Sequence, residues 1–279
     1  MKRIINFIKY IIFLLVAFLI CLTVFHHIML SKEFKEIKPI GQMVGINGKK
    51  MSIYVEGEGE KTLVFLAGAG TASPILDFKS LYSKLTNDYR IVVVEKFGYG
   101  FSDNTQDSRD NATLLAETRS ALKKSGISGP YVLIPHSMSG IQALYWVKHF
   151  PEEVEAIIGL DMSLPSSYEK MKISHFLLSA SSLGMTLGLS RLLPPSMISA
   201  IADGDLTEEE KSLYMKLVHR NLANPTVILE SKAIQANAKE GRDFQPQIPT
   251  LLFISNGQGT GFNKEHWQSF QLHYIEAIE

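Results

Sequence analysis

A chain of 279 residues with 46% hydrophobic side chains and 28 basic against 28 acidic groups carries no single-sign field that would hold a polyanion, so nucleic acid is not an expected partner. Its one cysteine, Cys21, excludes an intramolecular disulfide framework and any multi-thiolate metal site. Aromatic residues at 10%, with 20 Gly and 11 Pro, match an ordinary globular composition, and the length suits one domain with an appendage.

The appendage is N-terminal. Residues 10–30 (YIIFLLVAFLICLTVFHHIML) contain no Asp, Glu, Lys or Arg, and about 20 such residues span a bilayer core as a helix. Residues 1–9 carry Lys2, Arg3 and Lys9, which orients this segment with its N-terminus in the cytoplasm. The protein is thus expected in the cell membrane as a single-pass chain whose larger part is extracytoplasmic, with residues 31–40 as a linker. A cleaved signal peptide is the competing reading. The exit FHHIMLSKE lacks the small-residue site that cleavage needs. His26 and His27 are adjacent, so a helix turns them to different faces, and they read as interfacial residues rather than metal ligands.

Beyond the linker, apolar runs of strand length alternate with helical stretches. Residues 42–46 and 50–55 flank Asn47-Gly48, a strong hairpin signal. Residues 62–68, 90–98, 131–137, 155–163 and 249–255 have the continuous apolar character of strands buried on both faces. Helix-length stretches lie at 75–86, 112–125, 138–150 and 225–239, so the order is βαβα and the fold class is α/β, a mostly parallel sheet with helices on both faces. Between residues 164 and 241 no strand signal occurs; Leu- and Met-rich helical stretches there predict a helical cap, with a helix start in the acidic run 203–211. The expected division is a core at 41–164, a cap and return helix at 165–245 and the rest of the core at 246–279.

The sharpest local signal is PHSMSG (residues 135–140), where the strand at 131–134 must turn into a helix. So tight a turn crowds its central residue, and the G-x-S-x-G nucleophile elbow answers with glycines on either side. Here Pro135 and Ser139 stand in those places, so the motif as usually written fails. The strand–turn–helix setting still presents Ser137 above the sheet at a helix N-terminus, where free amides and the helix dipole favour developing negative charge.

From about Met51 to Trp267 the chain resembles the α/β-hydrolase fold family, especially its serine esterase and aminopeptidase-like members with a helical cap. LAGAG (residues 66–70) takes the place of the oxyanion loop, EKFGYGFSD (95–103) resembles the Asp-x-x-Gly-x-Gly-x-Ser stretch, PHSMSG is the elbow, and GLDMSLP (159–165) leads into the cap. The resemblance implies Ser137 as nucleophile and the backbone N–H groups of Met138 and Ala69 as oxyanion donors. It also implies a carboxylate to orient a histidine, and the histidine to take the serine proton. The family's acid commonly follows the strand at 249–255, but NGQGTGFNKEHW (256–267) has no carboxylate before Glu265. Asp161 is the better-placed acid, with Glu265 in reserve.

The family's base follows a further strand, after the helix that ends this sequence; no eighth core strand is visible, so the base is expected to be cut away or the chain to be short. His136 adjoins the serine on the wrong side, and His266 and His273, seven residues apart, share one helix face. No cofactor and no metal are expected. The predicted function is hydrolysis of carboxylic esters, or of peptides and amides, through an acyl-enzyme on Ser137. The alternative is a hydrolase-fold protein, impaired or truncated, that binds an apolar ligand or partner.

Overall fold

The Asn47-Gly48 dipeptide closes the first hairpin with φ of 49° and 77°, the paired positive values that a twisted two-residue hairpin turn requires. It joins β1 (Gln42–Ile46) to β2 (Lys49–Glu56). In the computed structural model, which describes residues 1–276, these strands begin a seven-stranded sheet of order β1-β2-β4-β3-β5-β6-β7. It is completed by β3 (Thr62–Leu66), β4 (Arg90–Glu95), β5 (Tyr131–Pro135), β6 (Val154–Leu160) and β7 (Thr250–Phe253). β2 runs antiparallel to β4, and every pair from β4 to β7 is parallel. The parallel strands therefore end along one rim.

Strand alternation divides the core between the two faces of the sheet. Val64, Leu66, Val92, Val94 and Leu133 pack with Leu115 and Leu122 of α4 (Asn111–Lys124) and Ala143 and Val147 of α5 (Ser139–His149). Leu63, Phe65, Ile91, Val93, Val132 and Ile134 pack on the other face with Ile75 of α2 (Pro74–Asp77) and Tyr82 of α3 (Lys79–Tyr82). Both faces are covered, which is why these strands read as unbroken apolar runs. The helix expected at 75–86 is instead two short ones, because turns closed by i to i+3 bonds, Leu81 N–H to Phe78 O (3.0 Å) and Leu85 N–H to Tyr82 O (2.8 Å), interrupt the regular ladder.

Between Pro165 and β7 the regular elements are all helices, α6 (Pro165–Lys170), α7 (His175–Thr186), α8 (Ser199–Ala202), α9 (Glu208–Asn221) and α10 (Pro225–Glu240), with short 3-10 turns. The helix start expected in the acidic run 203–211 falls at Glu208, with Glu208, Glu209 and Glu210 in the first turn. α9 starts after Thr207, whose hydroxyl accepts from Glu210 N–H (3.3 Å) while the Glu210 carboxylate accepts from Thr207 N–H (2.9 Å), a reciprocal capping box that the upstream Asp203 cannot match. α11 (Lys264–Glu276) follows β7. At the other end, α1 runs from Lys2 to Glu36, so six residues expected as linker are helical. It stops at Ile37, which is extended, just before Lys38-Pro39, where the proline disfavours a helical predecessor.

Candidate active site at the turn after β5

β5 ends at Pro135 and α5 begins at Ser139, leaving three residues to reverse the chain at the C-terminal rim of the sheet. Ser137 takes the strain, with φ of 51°; a non-glycine residue in the left-handed region costs roughly 1–3 kcal/mol and persists only where its surroundings enforce it. Here they do. Ser137 N–H donates to Leu160 O at the end of β6 (3.3 Å), and its carbonyl accepts from Gly140 N–H (3.0 Å) and Ser163 N–H (2.8 Å). A Cβ added at Gly140 would stand 2.4 Å from Ser163 O, and one added at Gly68 would stand 2.8 Å from Ser137 Cβ. These two glycines let the turn and the loop after β3 close on Ser137.

The departures from G-x-S-x-G have a local explanation. Ser139 Oγ accepts from His136 N–H (3.0 Å) and donates to Leu66 O (2.6 Å), so a hydroxyl fastens the turn to the end of β3 where the motif's glycine only leaves room. Pro135 lies in register with Leu66, whose carbonyl is satisfied by His136 N–H (3.0 Å) and the Ser139 hydroxyl. The missing proline N–H leaves nothing unpaired there.

Met138 is buried and Ala69 exposed, and among the described residues neither backbone N–H is hydrogen-bonded. The Ser137 hydroxyl likewise has no hydrogen-bond partner there. Asp161, with φ of 47°, leaves β6 one residue after the Leu160 carbonyl that holds Ser137. Its Oδ1 accepts from Ser255 N–H (2.8 Å) and Trp267 Nε1–H (2.8 Å), and its Oδ2 from Ser255 Oγ (2.7 Å). With two lone pairs per oxygen, one acceptor position remains on Oδ2. Ser255 and Trp267 were not legible as partners, since 94 and 106 residues separate them from Asp161. The parallel order of β6 and β7 is what brings Ser255 beside it.

The candidate histidines lie apart from one another. His136 Nδ1 and Ser137 Cβ lie 3.3 and 2.8 Å from the point a Gly68 Cβ would occupy, so both face the loop after β3, and no hydrogen bond joins the two side chains among the described residues. Its ring opens to solvent, yet the crowding of the turn lowers its pKa, and the Asp161 carboxylate opposes that shift. His266 and His273 are both exposed on α11; neither is hydrogen-bonded to Ser137 or Asp161 among the described residues. Glu265 is exposed at the start of α11.

Beside the turn lies a cavity of about 470 Å³, lined by His136, Leu160, Phe78 and Asp77 from the core and by Ser199 and Ala200 from α8. Burial pushes the Asp77 carboxyl up to about 7, against the hydrogen bond from Tyr214. Behind the rim, the Glu95 carboxylate is fully buried under Gly100 and accepts from Phe101 N–H (2.8 Å) and Ile75 N–H (3.4 Å). Burial raises its pKa to about 7. Lys96, the next residue, forms a buried ion pair with Glu230 of α10, which pins the cap to the end of β4.

No protein-family model matches the chain. It is 40% identical over 206 residues to the uncharacterized protein YbdG of Bacillus subtilis, an alignment covering 72% of this chain and 63% of that protein; the chain therefore spans less than two thirds of that relative's length. Among solved structures, the thioesterase domain from the curacin biosynthetic pathway superposes with a TM-score of 0.58 at 15% identity, covering 84% of this chain and 89% of that one. The epoxide hydrolase VrEH1 of Vigna radiata superposes with a TM-score of 0.57 at 16% identity, covering 76% and 77%. With the mostly parallel sheet, the strained serine turn after β5 and the helical segment between β6 and β7, these likenesses establish that the chain has the α/β-hydrolase fold.

Proposed function

We propose that this chain is a membrane-anchored serine hydrolase of carboxylic esters, with Ser137 as nucleophile. The observation that carries the reading is the enforced left-handed conformation of Ser137, which leaves its hydroxyl unengaged at a helix N-terminus. In this reading Ser137 Oγ attacks the ester carbonyl and loses its proton to a base oriented through the open position on Asp161 Oδ2. The N–H groups of Met138 and Ala69 receive the oxyanion, in a loop that Gly68 allows to approach closely. The alkoxide leaves with the proton, and water then releases the acid from Ser137. Residues 10–30 of α1 cross the cell membrane, a crossing that the length and apolar character of α1 support; in this reading Lys2, Arg3 and Lys9 lie on the cytoplasmic side and 165–245 act as the cap.

The test is covalent. An alkyl fluorophosphonate added to the detergent-solubilised chain should add one phosphonyl group to Ser137, read by intact mass, and hydrolysis of an aryl butyrate should fall with it. Ser137→Ala should abolish both. Equal labelling of Ser137→Ala, or no labelling of a correctly folded chain, overturns the assignment. One observation favours a second reading: among the described residues no imidazole is hydrogen-bonded to Ser137 or Asp161. In that reading the cavity binds an apolar ligand without turnover, and a folded chain that retains an aliphatic ester unhydrolysed would support it.

A further inference from the structure

α7 is covered by protein on one side only, where α10 packs on it and Lys232 Nζ donates to Ser179 Oγ (3.1 Å). Its twelve residues (HFLLSASSLGMT) contain no Asp, Glu, Lys or Arg, and only Gly184 is buried. Phe176, Leu177 and Leu183 are 79%, 65% and 60% exposed, and the 3-10 turns that follow add Leu192 at 56% and Met197 at 71%. Scattered exposed apolar residues are normal, but a contiguous apolar helix face of this kind marks an interaction surface. The question is what covers it.

The packing of α1 answers. Its C-terminal half docks on the cap beside α7: a Cβ added at Gly188 would stand 2.7 Å from His26 Cβ and 3.2 Å from Leu22 O, and Thr23 Oγ1 donates to Leu187 O (3.1 Å). Arg191 donates to both carboxylate oxygens of Glu33 (2.6 and 2.7 Å) and to His26 Nδ1 (3.2 Å). Further along, Glu36 pairs with Lys216 in an exposed contact (2.9 Å). The seam between α1 and the cap thus grades from apolar at Leu22, through a nearly buried ion pair at Glu33, to water at Glu36. Leu22 lies eight residues inside the end of the uncharged stretch 10–30, a depth of about 12 Å at 1.5 Å per residue. Because Leu187 and Gly188 touch α1 at Leu22, Thr23 and His26, they lie at the same level as that part of α1.

Resting on the proposed anchoring through α1, we propose that α7 and the turns carrying Leu192 and Met197 lie in the leaflet from which α1 emerges, so that the cap is sunk into the bilayer and covered by lipid. Ser199 and Ala200, which line the cavity beside Ser137, follow Met197 by two and three residues. The cavity therefore borders the lipid-covered surface, and its substrate class is an acyl ester delivered from the membrane rather than from water.

Depth-dependent quenching tests this on the full chain. In a Cys21→Ser background, Phe176→Cys, Leu183→Cys and Met197→Cys carry a polarity-sensitive fluorophore, with Ile12→Cys in α1 and Lys123→Cys in α4 as references. Each is reconstituted into vesicles of phosphatidylcholine with a minority of phosphatidylglycerol, with and without spin-labelled acyl chains. The expected result is blue-shifted, quenched emission at 176, 183, 197 and 12, and water-like emission at 123. Quenching at 12 but not at 176, 183 or 197 overturns the insertion and leaves the anchor standing. Water-like emission at all sites removes the anchor and the insertion with it. Quenching at 123 as well means non-selective adsorption and also overturns the proposal.

Discussion

Gly68→Ala is the substitution that most directly probes the loop against the turn. The new Cβ would stand 2.8 Å from Ser137 Cβ and 3.2 Å from His136 O. Neither atom is the far end of a flexible side chain: one is the root of the candidate nucleophile, the other backbone. Restoring an ordinary 3.4–4 Å contact requires the loop and the turn to separate by roughly 0.6 to 1.2 Å. Overpacking of this kind costs about 1–3 kcal/mol, which lowers Tm by a few degrees to about ten in a chain of this size. The effect on the site should be out of proportion, because a displacement near 1 Å between nucleophile and oxyanion donors costs on the order of 100-fold in rate. The measurements are thermal unfolding and the rate of phosphonate labelling at Ser137. Gly45→Ala is the control, since a Cβ there meets nothing within 4 Å; it should change stability by less than about 0.5 kcal/mol and leave labelling unchanged. Unaltered labelling in Gly68→Ala would refute the idea that this loop supplies a donor to Ser137.

Two further predictions concern groups behind the rim. Glu230→Ala strands Lys96, whose side chain is 2% exposed, and should cost about 3–5 kcal/mol in denaturant unfolding, while the double change Lys96→Met with Glu230→Leu should cost less than the single one; a single-variant loss below about 1 kcal/mol would show that the pair is solvated. The Glu95 carboxyl, pushed up to about 7 from 4.5, keeps its proton in the folded chain across a window where the unfolded chain has lost it. The native state then binds more protons, so this group's contribution to stability falls as pH rises from about 4.5 to about 7 and is level above, a swing on the order of 3 kcal/mol. Glu95→Gln should flatten Tm between pH 5 and pH 7; an unchanged slope would assign the dependence to other groups.

How much of this was legible in the sequence depended on how far apart in the chain the interacting groups lie. The strands were readable because burial on both faces leaves a continuous apolar signature, and Asn47-Gly48 announced its hairpin because both positive φ values belong to adjacent residues. The serine turn was readable for the same reason: strand, turn and helix are consecutive, and the crowding that needs Gly140 acts within a few residues. Its substitutions at positions 135 and 139 looked like failures of the motif until Leu66, 73 residues away, appeared as the acceptor for Ser139. Short helical stretches were harder, because the difference between a regular helix at 75–86 and two tight pieces is a matter of which carbonyl each N–H finds.

The long-range contacts left no local trace, and they are the ones that give the site its setting. Ser255 and Trp267 reach Asp161 only because parallel strands deliver their ends to one rim. Arg191 meets Glu33 across 158 residues, which turns two unremarkable charges into the joint between a membrane-length helix and a cap. A Leu-rich stretch such as 176–187 reads equally well as core packing or as pocket lining while its neighbours are unknown. With Gly188 fixed against His26 and Leu22, the proposed anchoring would give the same residues a depth, and an uncharged helix left open beside a transmembrane-length helix is compatible with lipid in a way it is not compatible with water. A joint held by Glu33 and Arg191 also fixes the cap, and with it the α8 border of the cavity, against α1, which a flexible linker at 31–40 would not do.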